Sequence, residues 1–214
     1  MKRACSLRVG FLIAMAAACT SAPIHYHTLT PAPVDAAGAI PPSADGVALV
    51  SVKIPAQVDR PELVVRQRNG EIALLENEEW IAPPAEELRT ALSIELVRQL
   101  TSADARGLRR DPPPIMVRVE IERFESAPGD YVLVTAFWHL RINAGPGQEV
   151  LACRTEVNER VANGIPALVR GYQLAIASIA DTIASAALRS DAENGTGCPA
   201  TGSLATPRSA GDHR

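Results

Sequence analysis

Aromatic residues make up only 4% of this 214-residue chain, so its core must rest on Val, Ile, Leu and Ala. Beyond the N-terminus there is no stretch of 18 consecutive apolar residues, which excludes a further helix able to span a bilayer. No block of basic residues occurs: 21 Lys+Arg stand against 24 Asp+Glu, a net charge of −3. That balance excludes the electrostatic footprint of a nucleic-acid binder and offers little attraction to anionic membranes. Also missing are a G-x-S-x-G elbow, a P-loop, a dinucleotide-binding fingerprint and any H-E-x-x-H or H-x-x-x-H spacing. The sequence therefore gives no support for catalysis, a metal or a cofactor. Hydrophobic residues at 47% and charged residues at 21% are ordinary globular usage and rule out wholesale disorder.

The N-terminus reads as an address. Lys2, Arg3 and Arg8 precede an apolar run of 10 residues, Val9 to Ala18. This is the length of a signal-peptide core, well short of the roughly 20 residues of a spanning helix. Residues 1–18 are expected to be a removable signal, leaving 18 basic against 24 acidic residues. Ala16-Ala17-Ala18-Cys19 reads as a lipobox, with Cys19 acylated and first in the mature chain, or as an A-x-A site for ordinary secretion. The flexible Thr20-Ser21-Ala22-Pro23 that follows favours the acyl anchor. Thr20 rather than Asp after the cysteine points, by analogy with bacterial lipoprotein sorting, to the outer membrane and its periplasmic face.

In the mature chain, residues 19–45 read as a tether and linker carrying a short first strand, His25 to Thr30. A single domain is expected over 46–189, and a Gly/Ser/Thr/Ala-rich disordered tail over 190–214. Val47 to Ile54 has the pattern of a strand buried on both faces. Glu62–Arg68 and Ile72–Leu75 are expected to form a hairpin across Asn69-Gly70. Pro83-Pro84 lead into a helix over Ala85–Leu100, with Leu88, Leu92, Leu96 and Leu100 in one stripe and Arg98 in its last turn. Three strands follow as an antiparallel meander: one from Ile115, then Tyr131–Ile142 and Glu149–Val161. Turns at Pro128-Gly129-Asp130 and Gly145-Pro146-Gly147 join them. A second helix is expected over Pro166–Leu188, its many alanines allowing close packing to a second surface. The fold class is α/β, a mixed sheet packed by two main helices.

Few residues could carry chemistry. His25 and His27 share a strand face but have no third ligand, so they read as a solvated strand start. Glu76, Glu78, Glu79, Glu86 and Glu87 form an acidic cluster, expected to be a solvated loop and helix start. Cys153 falls on the apolar face of its strand and is expected as a buried free thiol. The alternative is a disulfide to Cys198 that staples the tail to the core edge. At Asp59-Arg60-Pro61, the Asp can accept a backbone hydrogen bond, the Pro sets the exit direction and the Arg is free to pair. The segment reads as a structural corner or as a partner contact.

The order of these marks resembles the PqiC-type auxiliary lipoproteins of ABC-type transport systems. The marks are Cys19, then Tyr26-His27-Thr28-Leu29, then Asp59-Arg60-Pro61 with Val64 and Arg66. Trp80 ahead of the prolines, Arg123-Phe124 and Ala136-Phe137-Trp138 complete the series. The chain departs from the family pattern at Gln57-Val58, where Tyr-Leu is common, and at Ala82, where Glu is common. The resemblance implies a non-enzymatic outer-membrane lipoprotein with no cofactor beyond the acyl groups on Cys19. Its partner would be an MCE-domain protein of an intermembrane lipid transporter, which maintains envelope integrity. It further implies a homo-oligomer, a domain similar to the N-terminal domain of TolB, and partner contacts at Asp59, Arg60, Pro61 and Trp80. The competing reading is an adaptor for an outer-membrane barrel such as the lipopolysaccharide-assembly machine, and an envelope hydrolase is a more distant third.

Overall fold

Turn chemistry and side-chain period account for most of the elements. The computed structural model describes residues 22–31, 47–105, 115–142 and 149–190, together with Cys198. The expected signal, Cys19, the linker after Pro31, the Gly145-Pro146-Gly147 turn and the rest of the tail lie outside them.

Two sheets are formed. The smaller has the order β1-β4-β3, from β1 (His25–His27), β3 (Glu62–Arg66) and β4 (Ile72–Trp80). The β3–β4 hairpin forms as expected, and its loop is three residues, Arg68 to Gly70. The Gln67 N–H donates to Glu71 O and the Gly70 N–H to Gln67 O, while Gly70 takes φ 87°. A turn closed by one left-handed residue is the usual three-residue hairpin loop, and it explains why glycine stands there. The second hairpin strand, however, runs on to Trp80 rather than ending at Leu75. Its last residues gain a partner in β1, which pairs with them in parallel: His25 opposite Glu78, Tyr26 opposite Glu79, His27 opposite Trp80.

The larger sheet has the order β2-β5-β6-β7, from β2 (Val47–Lys53), β5 (Ile115–Ala127), β6 (Tyr131–Ile142) and β7 (Glu149–Arg160). β5, β6 and β7 form the expected antiparallel meander, and β2 joins β5 in parallel. Ile115, Val117, Val119 and Ile121 are buried, while Arg118, Glu120 and Glu122 are exposed. That alternation is the mark of a sheet covered on one face.

Both helices cover that face. α1 (Pro84–Ala105) lies against β2 and α2 (Ile165–Ser190) against β6 and β7, and the helices pack on each other. In α1 the expected stripe of Leu88, Leu92, Leu96 and Leu100 is buried together with Ala91. The helix continues past Leu100, so Arg98 is not in its last turn but pairs with Glu95. In α2 the buried small residues Ala175, Ala180, Ala184, Ala186 and Ala187 let the helix lie close to sheet and helix at once.

Three aromatic residues, Trp80, Phe124 and Tyr172, cluster between β4, β5 and α2. Phe124 of β5 stacks on Tyr172 of α2 at 4.2 Å, and Trp80 meets Tyr172 edge-on at 5.8 Å. Burial pushes the Tyr172 phenol far above its ordinary pKa, so it stays neutral. Trp138 is fully buried and donates its indole N–H to Thr155 Oγ1 at 2.9 Å.

The cysteine expectation is corrected: Cys153 is joined to Cys198 by a disulfide, with Cα atoms 5.6 Å apart. Cys153 does lie on the apolar face, 2% exposed, but Cys198 lies against it there. Strand alternation places a side chain on a face and says nothing of a segment arriving from 45 residues away.

Candidate functional site: the groove at the Asp-Arg-Pro corner

The chain leaves β2, turns at Asp59-Arg60-Pro61 and enters β3, and each corner residue has a distinct structural role. Asp59 Oδ1 accepts the Ala85 N–H at 3.2 Å. Pro84 opens α1 and the carbonyl of Pro83 accepts from Glu86 and Glu87. Proline at the cap position has no side-chain oxygen for the free N–H groups of the first turn, and Asp59 supplies one from elsewhere in the chain. Pro61 O accepts the Trp80 N–H at 2.8 Å, which ties the corner to the end of β4. Arg60 lies half-buried and pairs with Glu62 at 2.9 Å, and that partner holds the Glu62 carboxyl below its ordinary pKa. Trp80 is buried in the aromatic cluster, so its role within the domain is packing rather than surface contact.

Beside the corner lies a groove of about 520 Å³, running between the outer face of the β3–β4 hairpin and the second half of β5. Pro55, Val58, Val64, Ile72, Leu74 and Phe124 supply its apolar lining. Ile72 and Leu74 are 56% and 44% exposed, a large apolar exposure on a face otherwise rich in charge. Cross-strand pairing explains their position, since Val64 stands opposite Leu74 and Arg66 opposite Ile72. Leu63 and Val65, one step along the strand, point into the core.

The rim is made of ion pairs. Glu125 accepts from Arg123 at 2.9 Å and from Arg66 at 3.2 Å, and Arg154 reaches Glu122 at 2.7 Å. The hydrogen bond from Arg123 comes first in holding the Glu125 carboxyl below its ordinary pKa, with burial opposing it. A second groove, about 710 Å³, continues from Val65 and Arg66 toward the hairpin tip and the Pro128-Gly129-Asp130 turn. An apolar centre bordered by polar pairs is the anatomy of a protein-docking surface, in which the apolar contacts supply affinity and the rim sets orientation.

The acidic cluster is only in part the solvated loop and helix start expected of it. Glu86 is exposed in the first turn of α1, but Glu76, Glu78 and Glu79 belong to β4 and Glu87 is buried. Glu87 Oε2 accepts from Thr28 Oγ1 at 2.6 Å and from the Leu29 N–H at 2.8 Å. From the other side, Gln173 of α2 donates to the carbonyls of Thr28 and Thr30. Two helices thus grip the chain just past β1 and hold Leu29 fully buried. Glu78 takes hydrogen bonds from His25 Nδ1 at 3.1 Å and His27 Nε2 at 2.5 Å, so each ring nitrogen facing it must carry the proton. Among the described residues, no group of three or more His, Cys, Asp or Glu is arranged to hold a metal.

The groove therefore combines an apolar lining with a rim of paired charges, on an α/β domain whose two helices cover one face of the larger sheet. The chain belongs to the family of ABC-type transport auxiliary lipoprotein components, which it matches over residues 27–184. No helix among the described residues is long and apolar enough to cross a membrane. Among solved structures, the fold is similar to that of an uncharacterized protein with a TM-score of 0.57 and 16% identity, covering 77% of this chain and 98% of that one. A protein from Xanthomonas campestris is also similar, with a TM-score of 0.49 and 14% identity over 70% of this chain and 86% of its own. No curated protein matches the sequence.

Proposed function

We propose that this protein is an adaptor lipoprotein, anchored through acylated Cys19 at the periplasmic face of the outer membrane. In this reading it docks the MCE-domain chain of an ABC-type intermembrane lipid transporter through the groove at the Asp59-Arg60-Pro61 corner. The family match over residues 27–184 carries the reading. The exposed Ile72 and Leu74, with Val64 between the ion pairs of Arg60 and Arg66, support the choice of surface. The protein acts by binding rather than by turnover, and it works as an assembly of several copies.

The test is photo-crosslinking in cells from a reactive amino acid placed at Leu74, with Leu174 on α2 as the comparison position, followed by mass spectrometry of the captured chain. Capture of an MCE-domain protein from Leu74 and not from Leu174 is the expected result. Capture of an outer-membrane barrel protein would move the assignment to a different adaptor. No capture from Leu74 alongside capture from Leu174 would remove the groove from the docking surface.

A further inference from the structure

A second apolar surface lies at the C-terminal end of β4, where the chain enters the domain. Ile24, Tyr26 and Ile81 are 45%, 58% and 60% exposed, although large apolar side chains are normally withdrawn from water. Ile24 and Tyr26 are two residues apart on one strand line, so they share a face. Tyr26 stands opposite Glu79 in the parallel ladder, and the Ile81 N–H bonds to His27 O one step further along. Alternation therefore places Ile81 on the face of Tyr26.

The tether decides what covers this surface. Ile24 stands five positions after Cys19, five Cα–Cα steps along the chain. Fully extended, they reach at most about 18 Å. The chain does not swing freely beyond that point, because Glu87 and Gln173 hold Thr28, Leu29 and Thr30. An anchor at Cys19 therefore brings this end of the domain to the bilayer and keeps it there.

We infer that Ile24, Tyr26 and Ile81 form a bilayer-contact surface, seating the entry end of the domain in the headgroup region of the membrane that holds the Cys19 acyl chains. The inference rests on the acylation of Cys19. Tyrosine with flanking aliphatic residues suits that depth, since its ring is apolar and its hydroxyl remains in contact with water. Glu79 beside Tyr26 makes the contact apolar in origin rather than an attraction to anionic lipid. The seating also orients the molecule. Ile72 and Leu74, the exposed apolar residues of the groove, lie toward the opposite end of β4 from Ile81. That part of the groove is thereby held further from the bilayer, toward the aqueous space where a partner approaches.

The experiment uses the full-length acylated protein in phosphatidylcholine vesicles containing acyl-brominated lipid. Tyr26→Trp is compared with Ile72→Trp, and emission of the native Trp80 and Trp138 is subtracted using the unsubstituted protein. The mass of the N-terminal peptide and flotation with vesicles establish that the protein is acylated and bound. Emission of the Tyr26→Trp indole should fall by about half, as for a ring at headgroup depth, and that of Ile72→Trp should not change. Adding anionic lipid or salt should leave this contrast in place. Acylated, floating protein in which both indoles are quenched equally, or neither is, overturns the bilayer contact alone. A blue-shifted Tyr26→Trp indole that bromine does not quench overturns it in favour of cover by a second copy of the chain. An unmodified Cys19 overturns the anchor and this inference with it.

Discussion

Replacing Cys198 by Ala removes the disulfide while leaving the buried Cys153 thiol in place, so the core loses a crosslink and little else. The bond joins residues 45 apart and so closes a loop containing the whole of α2. On the chain-entropy account, a loop of that length restricts the unfolded state by about 4 kcal/mol. For a domain of this size each kcal/mol shifts the melting temperature by about 2–4 °C, so the variant should melt roughly 8–16 °C lower. Thermal unfolding of both proteins, with and without a thiol reductant, is the assay. Reductant should bring the native protein down to the Cys198→Ala value and leave Cys198→Ala where it was. Cys153→Ala should fall further, because Cys153 is packed opposite Trp138 on the core face and its removal also costs contacts. The reasoning fails if reductant leaves the native melting temperature unchanged, or if peptide mass mapping without reduction finds both cysteines free. An oxidising envelope compartment is where such a bond would persist.

Asp59→Ala should destabilise the domain by about 0.5–2 kcal/mol, as loss of a helix cap does, whereas Arg60→Ala, which removes a solvent-screened ion pair, should cost less; denaturant unfolding separates the two. Gly171→Ala should be destabilising by about 1–3 kcal/mol despite alanine's higher helix propensity, because the added methyl meets Val161 and Val132 where α2 lies on the sheet. The Glu125 carboxyl has a pKa below the ordinary 4.5, so its contribution to stability is present above pH 4.5 and lost as pH falls through the lower folded-state value. The stability gap between the native protein and Glu125→Gln should therefore narrow below pH 4.5, and a gap independent of pH in that range would count against the pairing. Cys19→Ala should release the protein from membranes into the soluble periplasmic fraction, which fractionation and immunoblotting would detect.

The elements that rest on local signals follow the sequence closely. Asn69-Gly70 marks the hairpin, Pro128-Gly129-Asp130 the meander turn, and the leucines four apart mark the buried side of α1. The candidate site is only half legible. Asp59-Arg60-Pro61 stands out as a corner, but no local pattern announces that Asp59 caps a helix 26 residues ahead or that Trp80 turns inward. The outward face of Ile72 and Leu74 follows from strand period alone; that β5 meets it with Arg123 and Glu125 does not. Glu87 reads as a first-turn acid suited to the helix dipole, and its actual work, gripping Thr28 and Leu29, depends on a segment 59 residues upstream, just past β1.

The periodic elements, the turns and the choice of which residues are apolar enough to form a core can all be read locally, because each depends on neighbours within a few positions. The parallel pairing of β1 with β4 and of β2 with β5, the Cys153–Cys198 bond, the clamp at the chain entry and the two exposed apolar surfaces emerge only in the folded chain. Those features join residues tens of positions apart. They are selected by which closures of the whole chain bury the most apolar surface while leaving polar groups paired, a choice that no short window of sequence records.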